Sequence, residues 1–402
     1  MPETFLHGVE IVEIDTGPRP IRTVRSGVIG IVGTAPDADP VAFPLNTPVL
    51  IAGSRAEAAL LDTVGDGDGT LPGALDGIFD QVGAVVIVVR VEEGETDAET
   101  LANVLGGTNA TTGNYEGVLA LLGAESVLGF TPRILCAPGV THQRPEDPDN
   151  AGTYLANPVV AELIAVAERL RAVIIADGPN STDAAAIAWA GDFGSSRVFV
   201  VDPWVKVQRG TAIVTEPASA RVAGLLAKSD NDRGFWWSPS NQNINGIVGT
   251  GRPVDFRLGD ANSRANLLNE QNVATIIRQD GYRLWGNRSL SSDAKWAFLC
   301  VRRTADILND SLQREHLWAV DRAITKTYVK DVTEGVNAYI RSLVAQGALL
   351  GGNCWADPDL NTPANISQGK VYFSFDFTPP YPAEHITFRS LLTTDYIEEV
   401  FA

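Results

Sequence analysis

Residues 84–91 read Ala84-Val85-Val86-Ile87-Val88-Val89-Arg90-Val91. A strand with one wet face alternates apolar and polar side chains, because successive side chains point to opposite faces. This run stays apolar as far as Val89. It therefore predicts a strand buried on both faces, as in the centre of a sheet covered by helices. Moving outward, the same texture returns. Val49-Leu50-Ile51-Ala52 is a short apolar run, and Ser54 stands where it can cap a helix over 55–61. The loop Gly65-Asp66-Gly67-Asp68-Gly69 leads into a helix over 71–81. Further strands are expected over 133–137, 172–176 and 197–201. A helix over 159–170 lies between the first two, and Asn180-Ser181-Thr182-Asp183 opens an alanine-rich helix before the third. Strands alternating with helices at this spacing imply an α/β domain with a mainly parallel sheet.

The two ends of the chain read differently. Val9-Glu10-Ile11-Val12-Glu13-Ile14 is strand-like, then Gly17, Pro18 and Pro20 cut it off. A second short strand over 21–24 and the apolar run 28–32 follow. An isolated strand cannot satisfy its own backbone groups, so the first must join some sheet. After about Gly210 the pattern changes to a small-residue helix over 217–227 and the aromatic, Asn-rich loop 234–244. Long helices dominate from Leu290. Val336, Tyr339, Ile340, Leu343 and Val344 make one apolar face, and Gly347 stops that helix. Val371, Phe373, Phe375 and Phe377 alternate with polar residues as a half-buried strand, ended by Pro379 and Pro380. Residues 386–388 read as another short strand. The segment containing Tyr396, Ile397, Val400 and Phe401 is short and mixed, and could pair with another edge.

Composition excludes several function classes. With 402 residues, 45% hydrophobic and 20% charged, the chain is globular and long enough for two or three domains. No apolar run approaches the ~20 residues that span a bilayer, and the N-terminus lacks the marks of a secretory signal. Cys136, Cys300 and Cys354 are far apart and odd in number, which argues against disulfides and cysteine-rich zinc sites and for folding in a reducing cytoplasm. The net charge of −18 repels nucleic acid and anionic membranes, so neither is an expected partner. Residues 37–99 carry thirteen acids against two bases, whereas 290–345 carry seven acids against eight bases.

Chemical motifs are sparse. Gly27, Gly30 and Gly33 are spaced G-x-x-G-x-x-G, unlike a dinucleotide fingerprint, and Pro36 interrupts any following helix. Asp66 and Asp68 lack the later glutamate of a calcium loop and read as a solvated turn. The histidines His7, His142, His316 and His385 are scattered. No nucleophile elbow is present. The reading therefore assigns no catalytic, cofactor or metal residue. One feature stands out. In a helix predicted over 317–330, Arg322, Lys326 and Lys330 recur at i, i+4 and i+8, which would make one cationic row suited to an acidic partner surface.

Together these segments resemble the contractile tail sheath proteins of bacteriophages and R-type (pyocin-like) bacteriocins. The resemblance rests on His7-Gly8-Val9, Val28-Ile29-Gly30, the 84–91 run, residues 177–183 and Ser238-Pro239-Ser240-Asn241. It is longest in Ala265-Asn266-Leu267-Leu268-Asn269, in residues 281–288, in Trp318-Ala319-Val320-Asp321-Arg322 and in residues 324–335. It implies a structural, non-enzymatic subunit that polymerises helically around a tail tube and contracts to drive the tube through an envelope. Partners would be further copies, the tube protein, and baseplate and terminator proteins. The setting would be a virion tail or bacteriocin particle assembled in the host cytoplasm. The implied layout is an N-terminal arm (1–26), an inserted outer α/β domain (27–255), an inner domain (256–390) and a C-terminal arm (391–402). The arms, with Val9, Ile11, Val12 and Ile14 at one end and Tyr396, Ile397, Val400 and Phe401 at the other, would complete a neighbour's sheet. Arg322, Lys326 and Lys330 would face the tube. The alternatives are another self-assembling shell or surface-layer protein, or an α/β enzyme, which would need a pocket of converging titratable groups.

Overall fold

The computed structural model describes residues 21–394, 396 and 397. The strand candidates at Val9, Ile11, Val12 and Ile14, and Val400 and Phe401, lie outside them. Eight strands form one sheet: β1 (Ile29–Thr34), β2 (Val49–Ala52), β3 (Val85–Val91), β4 (Ile134–Cys136), β5 (Val173–Asp177), β6 (Val198–Val201), β7 (Val273–Arg278) and β8 (Tyr282–Trp285). Their spatial order is β8-β7-β6-β5-β4-β1-β3-β2. The six strands from β7 to β3 are parallel, and β2 and β8 close the two edges antiparallel.

Residues 84–91 behave as their pattern predicts. Val86 and Val88 enter one core, while Ile87, Val89 and Val91 enter the other. Helices α1 (Leu71–Phe79) and α4 (Ser219–Arg233) cover the first face. Helices α2 (Pro158–Leu170) and α3 (Asp183–Ala190) cover the second, where Trp189 is fully buried. The expected caps form: the Ser54 and Thr182 hydroxyls accept from the backbone N–H groups of Glu57 and Ala185. Gly30 and Gly33 lie inside β1. A Cβ at Gly33 would sit 2.2 Å from Thr70 Oγ1, so that glycine serves close packing.

The sheet crosses the boundary expected at residue 255. β7 pairs with β6, Val273 beside Val200, so residues 273–285 complete the first unit rather than opening the second. The sequence reading assigns no strand here.

The C-terminal unit has its own core. Helices α5 (Leu299–Glu315) and α6 (Lys326–Gln346) pack with a hairpin of β9 (Gly351–Ala356) and β10 (Phe373–Thr378). Ile307, Leu308, Val336, Tyr339, Ile340 and Leu343 fill it. Gly347 ends α6 at φ 81°, a left-handed conformation that suits glycine. Ile21 and Val24 pack on this core. Thr23 Oγ1 lies 3.0 Å from Tyr339 Oη, and Val24 N–H donates to Ser311 Oγ at 3.1 Å. Residues 21–28 form no ladder, so the second strand expected at 21–24 is an extended segment held by side chains.

The two units meet along α5 through buried ion pairs. Arg303 donates to Asp230 at 2.6 Å, with both side chains 3% exposed. Arg197 pairs with Asp306 at 2.7 Å, and Arg133 pairs with Asp310.

Candidate functional site

Among the described residues, no group of three or more His, Cys, Asp or Glu is arranged to hold a metal. Burial pushes the Cys300 and Cys354 thiols up to about 11, and Cys136 higher still, so all three are inert fillers. Burial lowers His142, which stands edge-on to Trp204 at 4.9 Å. Asp177 is fully buried and pushed up to about 6, while hydrogen bonds from Ser219 N–H (2.8 Å) and Oγ (2.6 Å) pull the other way. That contact anchors the start of α4 to the end of β5. The Asp66 region is a turn in which the Asp62 carboxylate accepts from Gly65 and Gly67 N–H.

The cationic row is not a single helical stripe. Residues 317–330 do not form one helix. A 3₁₀ turn covers Leu317–Ala319, Asp321 takes φ 61°, and α6 starts only at Lys326. Thr325 causes the restart: its hydroxyl accepts from Tyr328 N–H at 3.1 Å, a cap that competes with continuing the helix. Arg322 therefore stands in the connecting loop, its guanidinium 5.2 Å from the Trp318 ring centre. Lys326 and Lys330 remain one turn apart on α6, and Lys330 lies 3.7 Å from Glu334. All three cations are exposed.

The hairpin is the more informative feature. Asn337 on α6 clamps β9: its Nδ2 donates to Cys354 O at 2.9 Å, and Cys354 N–H donates to its Oδ1 at 2.7 Å. The clamp occupies the outer edge of β9. Among the described residues, β10 pairs only with β9, so its other edge is open. Between α6 and the hairpin lies an apolar hollow of about 860 Å³, lined by Val320, Ile324, Tyr328, Val332, Phe373 and Phe375 among others.

After Thr378 the chain leaves this core. Tyr381 packs edge-on to Phe298, and Glu384 takes two hydrogen bonds from Arg288 at 2.8 and 2.6 Å. Residues 385–392 then form no regular structure. Phe388 is 93%, Leu391 88% and Leu392 98% exposed. Tyr396 and Ile397 are exposed too. A run of exposed large apolar groups signals a contact surface.

Among the described residues, the hairpin thus combines an unpaired strand edge and an apolar hollow, and the tail after it exposes large apolar side chains. Residues 291–393 match the phage tail sheath C-terminal domain, 109–290 the phage tail sheath central domain, and 26–91 the N-terminal region of domain III of the tail sheath protein Gp18. The chain is 46% identical to a protein of Pseudomonas aeruginosa (strain UCBPP-PA14) described as a prophage major tail sheath protein, over 99% of both chains. It is 37% identical to the tail sheath protein of Escherichia phage P2, over 98% of this chain and 97% of that one. Its fold matches the helical sheath of the anti-feeding prophage in the contracted state, with TM-score 0.70 and 23% identity over 98% of this chain and 100% of that one. The chain belongs to the phage tail sheath family, and is a structural subunit of a contractile tail.

Sequence reasoning missed the ionic joint on α5 and the Asn337 clamp. The alternation of Arg302, Arg303, Asp306 and Asp310 along one helix was the available signal for the first.

Proposed function

We propose that this chain polymerises helically around an inner tail tube, holds an extended state, and contracts to drive the tube through a target envelope. The carrying observation is the β10 edge that stays unpaired among the described residues, with an apolar hollow between the same hairpin and α6 and an exposed apolar run over 385–392. Terminal arms from neighbouring copies, including Val9, Ile11, Val12 and Ile14 and the Tyr396, Ile397, Val400 and Phe401 segment, add strands to that hairpin. Backbone ladders of this kind hold a lattice together while weaker side-chain contacts break and re-form. The unit containing the eight-stranded sheet is the outer domain. The C-terminal unit, with residues 21–25 docked on it, is the inner one. Arg322, Lys326 and Lys330 face acids on the tube as a loop cation and two helix cations. Exposed pairs are individually worth ~0–1 kcal/mol, weak enough to release on contraction. Baseplate and terminator proteins bound the polymer, which forms in the host cytoplasm as part of a phage or prophage-derived particle. No catalysis is involved.

Deleting residues 1–16 tests the arms. The expected product is a folded monomer, by circular dichroism and sedimentation, that forms no rods in negative stain. Rods of normal length from the deleted chain would overturn strand exchange.

A further inference from the structure

The parallel strands give the sheet two chemically different ends. At the carboxyl end, residues 37–39, 62–68 and 92–99 hold ten acids and no base. They gather around the end of β1: Thr70 N–H donates to Thr34 O at 2.9 Å, and Thr63 N–H to Asp37 O at 3.0 Å. Their crowding registers electrostatically. Partial desolvation, then repulsion from Asp66, Asp68 and Asp62, raises Asp37, and desolvation followed by Asp68 raises Glu93.

The amino end is the reverse. The segments leading into β1, β4, β5 and β6, together with α5, surround a cleft of about 1140 Å³ lined by eight arginines and five acids. Arg133, Arg197, Arg302 and Arg314 are paired with acids of the chain itself. Arg22, Arg25 and Arg169 are exposed and, among the described residues, take part in no ion pair. Arg25 only stacks on Phe130, at 4.9 Å. These cations, which form no ion pair among the described residues, are opposite in charge to the acidic carboxyl end.

We infer that successive copies stack head to tail, with the acidic carboxyl end of one sheet seated on the arginine cleft at the amino end of the next. Such a contact joins two different patches. It is heterologous, so repeating it extends an open helical array rather than closing a dimer. It is a side-chain contact, distinct from the strand addition proposed for the arms, and rests on the reading of the chain as a helical polymer. It is also weak per pair and screened by salt, so it can be made in one state of the lattice and broken in another.

A charge swap in the full chain tests it. Arg22→Glu with Arg169→Glu, and separately Asp66→Arg with Asp68→Arg, should each raise the critical concentration for polymerisation about tenfold at low salt, the effect of two or three exposed pairs. The chain carrying all four changes should recover most of the loss. Circular dichroism and melting should match the unaltered chain, since all four positions are exposed. Single-end variants that polymerise like the unaltered chain, or a four-fold variant no better than either parent, would overturn the contact. An unaltered chain that never polymerised would instead overturn the polymer reading beneath it.

Discussion

The sheet unit and the C-terminal unit handle their backbones in opposite ways. In the first, six parallel strands lie under helices on both faces, and the antiparallel strands β2 and β8 finish the two edges. In the second, two strands share one ladder, one outer edge is plugged by Asn337, and the other is unpaired among the described residues. A two-stranded hairpin is marginal without further strands or a packed face. Here α6 supplies the face. The contrast separates two designs: the sheet unit finishes both of its edges with antiparallel strands, while the C-terminal unit, among the described residues, leaves one strand edge unpaired.

The comparison can be broken first at the joint. Asp230→Ala leaves Arg303 buried without its partner, and should cost about 3–5 kcal/mol in urea unfolding. If the two units were independent, only one of two resolved transitions would move. Asp177 tests the sheet unit alone. Its folded value of about 6 lies above the ordinary 3.8, so the folded state keeps a proton that the unfolded chain has released. Stability from this group is full below about pH 4 and is lost as pH rises through about 6, on the order of 2–3 kcal/mol. Asp177→Asn should flatten the dependence of melting temperature on pH across that window. Asn337→Ala tests the C-terminal unit, leaving Cys354 N–H and C=O unpartnered at a cost of about 1–3 kcal/mol. Hydrogen exchange should quicken in β9 and stay unchanged in β3 and β5. Smallest on folding is Lys326→Glu with Lys330→Glu. Both side chains are exposed, so stability should move by less than ~0.5 kcal/mol, while co-sedimentation with tube protein falls. Unchanged co-sedimentation would remove these lysines from the tube contact.

How much was legible follows from the range of each signal. Residues 84–91, the apolar face at Val336, Tyr339, Ile340 and Leu343, and the alternation at Phe373, Phe375 and Phe377 announce buried strand, helix face and half-buried strand from spacing alone, because each period is local geometry. Gly347 and Thr182 mark their helix ends for the same reason. Residues 317–330 show where this fails. Their composition suits one helix, and the break is decided by the Thr325 cap and the left-handed turn at Asp321, which compete with helix at similar energy.

By itself the sequence determined the α/β class, the fully buried parallel strands, the polar separation of charge along the chain, and the family. Only the tertiary structure decided that residues 273–285 finish the first sheet, that Arg303 meets Asp230 across 73 positions, that Arg322 leaves the row of Lys326 and Lys330, and that β10 keeps an edge unpaired among the described residues. The physical reason is range: propensity and periodicity are written in neighbouring residues, whereas strand order, buried ion pairs and vacant edges depend on which distant segments arrive beside one another.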